Sequence, residues 1–195
     1  MKTFRKLAFI VLLVLLGSNA FAIDPVVTFT GVKKITVNLN NVNEKISINF
    51  RDTKGISLYS EDIKKSTQKF SKTFDVSDLP DGLYKVEIED GIKISSYSFS
   101  VISNKILSGV VKKDEIFKPV FAERGKKVYV SKYNPQNTEL KVTILDSNSQ
   151  ELYSENFKGK ESLGKIYDFS KIQGDYTILV SCDDKTYTQA VTIHK

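Results

Sequence analysis

The sequence predicts an all-β protein: two tandem immunoglobulin- or fibronectin-like antiparallel β-sandwiches that follow a signal peptide. Three observations predict it. The first is duplication. Leu58-Tyr59-Ser60-Glu61 returns 94 residues on as Leu152-Tyr153-Ser154-Glu155, Asp75-Val76-Ser77 returns 93 on as Asp168-Phe169-Ser170, and Gly82-Leu83-Tyr84 returns 92 on as Gly174-Asp175-Tyr176. A drift of two residues over that span is one unit copied, with single-residue changes in its loops. The second is a period of two in the apolar residues, the pattern of strands buried on one face. The third is a turn signal roughly every 8–12 residues, the spacing of a sandwich.

Each element has its own grounds. Lys2, Arg5 and Lys6 precede the unbroken apolar run Leu7 to Leu16, and Ala20-Phe21-Ala22 is a small-x-small cleavage site. This is the pattern of a secretory signal peptide over residues 1–22, cut after Ala22. Ten apolar residues make only about 15 Å of helix, roughly half a bilayer core. No later stretch approaches membrane length, so no span is expected after cleavage.

In the first repeat, residues 23–104, the alternating runs are Ile35/Val37/Leu39, Ile46/Ile48/Phe50, Ile56/Leu58, Val86/Ile88 and Tyr97/Phe99/Val101. In the second, residues 119–195, they are Val128/Val130, Leu140/Val142/Ile144, Ile178/Val180 and Val191/Ile193. Asn40-Asn41, Asp52 to Gly55, Pro80-Asp81-Gly82 and Asp90-Gly91 separate the first set. Asn134-Pro135, Asp146 to Ser149, Gln173-Gly174 and Asp183-Asp184 separate the second. Asp, Asn and Gly cap their own turns and tolerate positive φ, so they sit where strands reverse. About seven strands per repeat match an immunoglobulin-like unit. The expected linker, 105–118, is charged at Lys112 to Glu115 but carries Ile106, Leu107, Val110, Val111, Ile116 and Phe117. A free linker is Gly/Ser-rich, so this one is expected to pack against its neighbours.

Composition narrows the function. The mature chain has 26 basic and 23 acidic residues, a net charge of +3, with the signs interspersed in both halves. Such mixed faces are solvated surfaces and argue against nucleic-acid binding. The single cysteine, Cys182, allows no internal disulfide. Its place at a turn suggests partial exposure, and the acids Asp183 and Asp184 beside it raise a thiol pKa rather than activate the thiol. His194 is the only histidine and lies one residue from the C-terminus. One His and one Cys build neither a typical zinc site nor an oriented catalytic pair. The acids Asp75, Asp78 and Asp81, with Asp183 and Asp184, offer oxygen but lack calcium-loop spacing. No cofactor, metal or catalytic residue is therefore assigned, and the protein is expected not to be an enzyme.

Two tyrosine pairs stand out. Tyr84 and Tyr176 each begin the penultimate strand of a repeat, where a sandwich tyrosine closes a corner by bonding backbone upstream. Both are read as structural. Tyr59 and Tyr153 are matched by the duplication. If Ile56 and Leu58 face the core, these tyrosines face outward or toward an edge. There they serve either as an interaction surface or as a cross-strand packing pair.

Asp75-Val76-Ser77-Asp78-Leu79-Pro80-Asp81-Gly82-Leu83-Tyr84-Lys85-Val86 resembles the D-L-S-x-L-P-x-G-x-Y-x-V run of small β-sandwich domains in secreted Bacteroidota proteins. Among these are the C-terminal sorting domains of type IX secretion cargo. The second copy is closer still, from Ile144 through Tyr153 and Tyr167 to Tyr176 and Lys185-Thr186-Tyr187-Thr188-Gln189. The resemblance implies a sandwich fold and export. The sequence thus points to an exported, non-enzymatic binding, adhesion or envelope-structural module, periplasmic, cell-surface or extracellular. Its expected partners are a protein or a glycan at the cell envelope. The alternatives are a sorting-type domain protein and a carbohydrate-binding module.

Overall fold

The computed structural model describes residues 24–30, 33–40, 42–65, 69–182 and 185–194; the expected signal peptide lies outside them. Among the described residues every regular element is a strand. The first repeat holds β1 (Val26–Thr30), β2 (Lys34–Leu39), β3 (Ile46–Asp52), β4 (Ser57–Ile63), β5 (Phe70–Asp75), β6 (Gly82–Glu89), β7 (Lys93–Ile102) and β8 (Lys105–Phe117). The second holds β9 (Val120–Arg124), β10 (Lys127–Tyr133), β11 (Leu140–Asp146), β12 (Glu151–Phe157), β13 (Ser162–Asp168), β14 (Gly174–Cys182) and β15 (Lys185–Ile193). Among the described residues no helix is long and apolar enough to cross a membrane.

Each repeat is a pair of antiparallel sheets. In the first, β1-β2-β5 faces β4-β3-β6-β7-β8; in the second, β13-β10-β9 faces β12-β11-β14-β15. Period-two alternation sends every other side chain between the sheets. Ile35, Val37 and Leu39 meet Ile46, Ile48, Phe50, Val86, Phe99 and Val101 in one core. Val128 and Val130 meet Leu140, Val142, Ile144, Ile178, Val180, Val191 and Ile193 in a second, separate core. Full burial of one such side chain contributes about 1.5–3 kcal/mol, so each sandwich holds together without a disulfide.

Two expectations are corrected. Ile56 and Leu58 do not face the core; they are 57% and 46% exposed. The β3–β4 register runs unbroken from Ile46↔Ile63 to Phe50↔Tyr59 and shifts only beyond, at Arg51↔Ser57. Residues directly opposite on paired strands share a face, so Tyr59 turns inward and Leu58 outward. Cys182 is not partly exposed either. It ends β14 and belongs to the second core, with its sulfur 3.1 Å from the Thr138 hydroxyl.

The connecting segment is itself a strand. β8 pairs with β7 from Lys93↔Phe117 to Ser98↔Lys112, breaks register, and resumes at Ser100↔Leu107. Ile106 enters the first core. The far end of β8 meets the second repeat: the Lys132 ammonium donates to the Phe117 carbonyl at 2.5 Å, Gln136 donates to the Glu115 carbonyl, and the Phe117 and Tyr133 rings stand 5.0 Å apart.

Candidate functional site

The duplicated turns explain most of the acids singled out above. Asp75 Oδ1 accepts the Ser77 amide at 2.9 Å, and Asp168 Oδ1 accepts the Ser170 amide at 2.9 Å. Each Asp-x-Ser is thus a local turn that ends β5 or β13. Ser170, with Lys127 behind it, lowers the Asp168 pKa to about 2. Asp81 accepts the Ser103 and Asn104 amides across the β7–β8 hairpin. Asp75 and Asp81 are therefore committed to separate turns. Among the described residues no group of three or more His, Cys, Asp or Glu is placed to hold a metal. Asp183 and Asp184 lie outside the described residues, and His194 is exposed beyond the end of β15.

Tyr84 and Tyr176 sit at their corners. The Tyr84 hydroxyl donates to the Pro80 carbonyl at 2.8 Å, and the Tyr176 hydroxyl donates to the Gln173 carbonyl at 2.9 Å. Their rings finish the cores, Tyr84 against Phe99 and Tyr176 against Phe169. In the first repeat Lys33, 4% exposed, adds its ammonium to the Ser77 and Leu79 carbonyls at 2.9 Å each. That satisfies both the buried cation and a turn rich in carbonyls.

Tyr59 and Tyr153 belong to something larger. On the inner face of β4, Tyr59 and Glu61 lie two residues apart. On the inner face of the facing edge strand, β5, stands Lys72. The Tyr59 hydroxyl donates to Glu61 Oε2 at 2.5 Å, and the Lys72 ammonium donates to the same oxygen at 2.6 Å and to the Tyr59 hydroxyl at 3.0 Å. The second repeat rebuilds this on β12 and β13. Tyr153 donates to Glu155 at 2.6 Å, and Lys165 donates to Glu155 at 3.0 Å. Each Tyr–Glu–Lys set ties the edge of one sheet to the edge of the other and closes the open side of its sandwich. Lys72 foremost holds the Glu61 carboxyl below its ordinary range; Tyr153 foremost, then Lys165, does the same to Glu155. Sequence reading found the tyrosines and missed the lysines. The available signal was the spacing: Lys72 and Lys165 are 93 residues apart, the same offset as Asp75 and Asp168.

A groove runs beside each closure. In the first repeat Leu58, Tyr59, Phe74 and Leu79 line about 220 Å³. In the second Leu152, Tyr153, Ile166, Tyr167 and Ile172 line about 400 Å³. The two grooves are not alike. In the first, Lys72 lies over the Tyr59 and Phe74 rings, 5.6 and 5.4 Å from their centres. Thr73, the counterpart of Ile166, faces Thr36 across the sheet with their hydroxyls 2.9 Å apart. In the second, Lys165 reaches instead to Phe157. Leu152, Ile166 and Ile172 are 53%, 58% and 42% exposed. Tyr167 takes the place of Phe74, and its hydroxyl is buried with no hydrogen-bond partner among the described residues. Burial raises its pKa.

Among curated proteins none matches the chain. Solved structures that it is similar to include the FN1–FN3 domains of chicken CNTN1, with 10% identity over 88% of this chain and 64% of that one and a TM-score of 0.31. A two-domain fibronectin type III segment of chicken tenascin has 10% identity over 87% and 97% of the two chains, TM-score 0.32. The BSP domain of a biofilm-associated protein has 15% identity over 87% and 29%, TM-score 0.27. The chain thus spans just under two thirds of the CNTN1 structure. The sequence resemblance stands, with one change of place. Residues 31–103 match the family described as the secretion system C-terminal sorting domain, so the match falls on the first repeat rather than on the second copy, which was read as the closer.

Proposed function

We propose that this chain is an exported, non-enzymatic binding module that engages a partner at the cell envelope through the open sides of its sandwiches. The observation that carries this reading is the duplicated Tyr–Glu–Lys closure with its neighbouring groove, which in the second repeat leaves three aliphatic side chains exposed around one buried hydroxyl. Contiguous apolar surface of this kind is an interaction feature on a soluble sandwich. Asp75, Asp81, Asp168, Glu61 and Glu155 are engaged in turns and ion pairs, an arrangement suited to holding shape rather than to moving protons.

The mature chain, residues 23–195, is immobilised and offered solubilised envelope material and a glycan panel. The expected result is retention of an envelope component that is lost in Ile166→Ser, a change on an exposed side chain that leaves the fold intact. Retention that is indifferent to Ile166 and to Tyr153→Ala sinks the reading.

The match over residues 31–103 favours a second reading, a sorting-type module that accompanies export by the type IX route. Cell fractionation tests it. The protein reaches the cell surface or medium in a secretion-competent strain and accumulates in the periplasm when that route is disabled. An unchanged distribution removes this reading and leaves the first in place.

A further inference from the structure

We infer that the groove of the second repeat is a docking site for an uncharged, extended polypeptide strand bearing aliphatic side chains. This deepens the binding role proposed above and rests on it. Four features select that occupant. The groove lies between β12 and β13, and each of these strands ends its sheet. The outer edge of a terminal strand presents backbone N–H and C=O groups without ladder partners, the template that an added strand uses. Leu152, Ile166 and Ile172 are exposed around the groove, so side chains of an added strand find apolar contacts there. The Tyr167 hydroxyl, on a residue 9% exposed, has no partner among the described residues. A buried hydroxyl without a partner is costly, so an outward turn of the Tyr167 ring toward a main-chain carbonyl docked in the groove gains the missing acceptor.

Charge decides against an ionic ligand. The two carboxylates that line the groove are both spoken for: Glu155 pairs with Lys165 at 3.0 Å, and Asp168 pairs with Lys127 at 3.2 Å. A neutral ligand leaves these pairs undisturbed. A sugar fits less well, because the polar side chains that line the groove, Tyr153, Glu155, Lys165 and Asp168, already bond protein partners. The first repeat serves as an internal contrast. Phe74 replaces Tyr167, Thr73 replaces Ile166, and Lys72 covers the rings. The duplicated grooves therefore differ: the first is smaller and its rings lie under Lys72, and the second is larger and rimmed by exposed aliphatic side chains.

The test uses the mature chain and two acetylated, amidated heptapeptides. One alternates Thr with Val or Leu; the other has Asp in place of each aliphatic residue. The aliphatic peptide is expected to bind and to slow amide hydrogen exchange along β12 or β13, while the acidic one does neither. Tyr167→Phe is expected to weaken binding about fivefold, the weight of one hydrogen bond, while the melting temperature holds or rises. A purely structural tyrosine does not give that pair of results. Ile166→Ser abolishes binding, and Ile102→Ser, an exposed aliphatic change at the β7–β8 hairpin that lines neither groove, leaves it unchanged. No binding, protection confined to other strands, or an unaltered affinity in Tyr167→Phe overturns the inference. So does concentration-dependent self-association that protects β12 and β13 without peptide, which makes a second copy the occupant. If the peptide fails while envelope retention still depends on Ile166, the strand inference falls and the binding role survives.

Discussion

At the scale of single residues, identical motifs carry unequal weight because their surroundings differ. Tyr84 is buried and bonds the Pro80 carbonyl, whereas Tyr176 is half-buried and its bond to Gln173 lies at the surface. Removing a hydroxyl from a buried bond leaves a carbonyl unsatisfied, while water replaces an exposed one. Tyr84→Phe is therefore expected to cost about 1–2 kcal/mol, and Tyr176→Phe about 0.5 kcal/mol, by urea denaturation. Equal shifts in the two midpoints contradict this ranking. Tyr167 runs the other way. Its hydroxyl is buried without a partner among the described residues. Tyr167→Phe, which copies the residue already present as Phe74 in the first repeat, is expected to stabilise the free protein by about 1 kcal/mol. A loss of stability on this substitution reveals a partner for the hydroxyl.

At the scale of elements, the starts of β6 and β14 look interchangeable in sequence and are not. Gly174 has φ +126°, a region open essentially to glycine alone, while Gly82 stands outside the left-handed region. Gly174→Ala is expected to cost about 1–3 kcal/mol. Gly82→Ala places a Cβ 3.4 Å from the Tyr84 hydroxyl, ordinary contact, and costs less. The turn that ends β13 gives a pH signature. Ser170 and Lys127 hold the Asp168 carboxyl at about 2 against an ordinary 3.8. A depressed carboxylate adds stability that is full above the unfolded pKa and is lost as pH falls through the folded one. The melting temperature is thus expected to fall between about pH 4 and pH 2, less steeply in Asp168→Asn; identical slopes contradict the role of this turn. Element by element, the alternating runs were legible because burial on one face writes period two directly into sequence. The face of β4 was not, because its inward positions carry Tyr59 and Glu61 while the outward Leu58 and the neighbouring Ile56 are aliphatic, so hydropathy favours the wrong face. The Tyr–Glu–Lys closures were half legible. Tyr and Glu share one strand and one motif, but the lysine arrives from a strand distant in sequence. The unpaired hydroxyl of Tyr167 was invisible, since satisfaction is a property of neighbours and not of residue type.

At the scale of the whole molecule, two closed cores are joined by a strand that belongs to one of them. A charged segment with apolar residues reads equally well as a packed linker or as an edge strand, and only pairing partners separate the two. Here β8 pairs along β7, and Ile106, 4% exposed, sits in the first core. The independent folding unit therefore ends near residue 118 and not near 104. Fragments 23–118 and 119–195 are each expected to give β-sheet circular dichroism and cooperative unfolding, since among the described residues neither core takes a side chain from the other repeat. Fragment 23–104 is expected to be markedly weaker. It exposes the apolar surface that Ile106 covers, removal of which alone costs about 2–5 kcal/mol when such a side chain is cut back to alanine, and it bares the outer edge of β7. The full tandem gains further from the contacts of Phe117 with Lys132 and Tyr133, so both fragments should unfold at lower urea than the corresponding transitions in 23–195. If 23–104 is as stable as 23–118, β8 is an ornament of the first sandwich and its pairing contributes nothing. If 119–195 is soluble but unfolded, the second sandwich depends on the first, and the two cores form one cooperative unit.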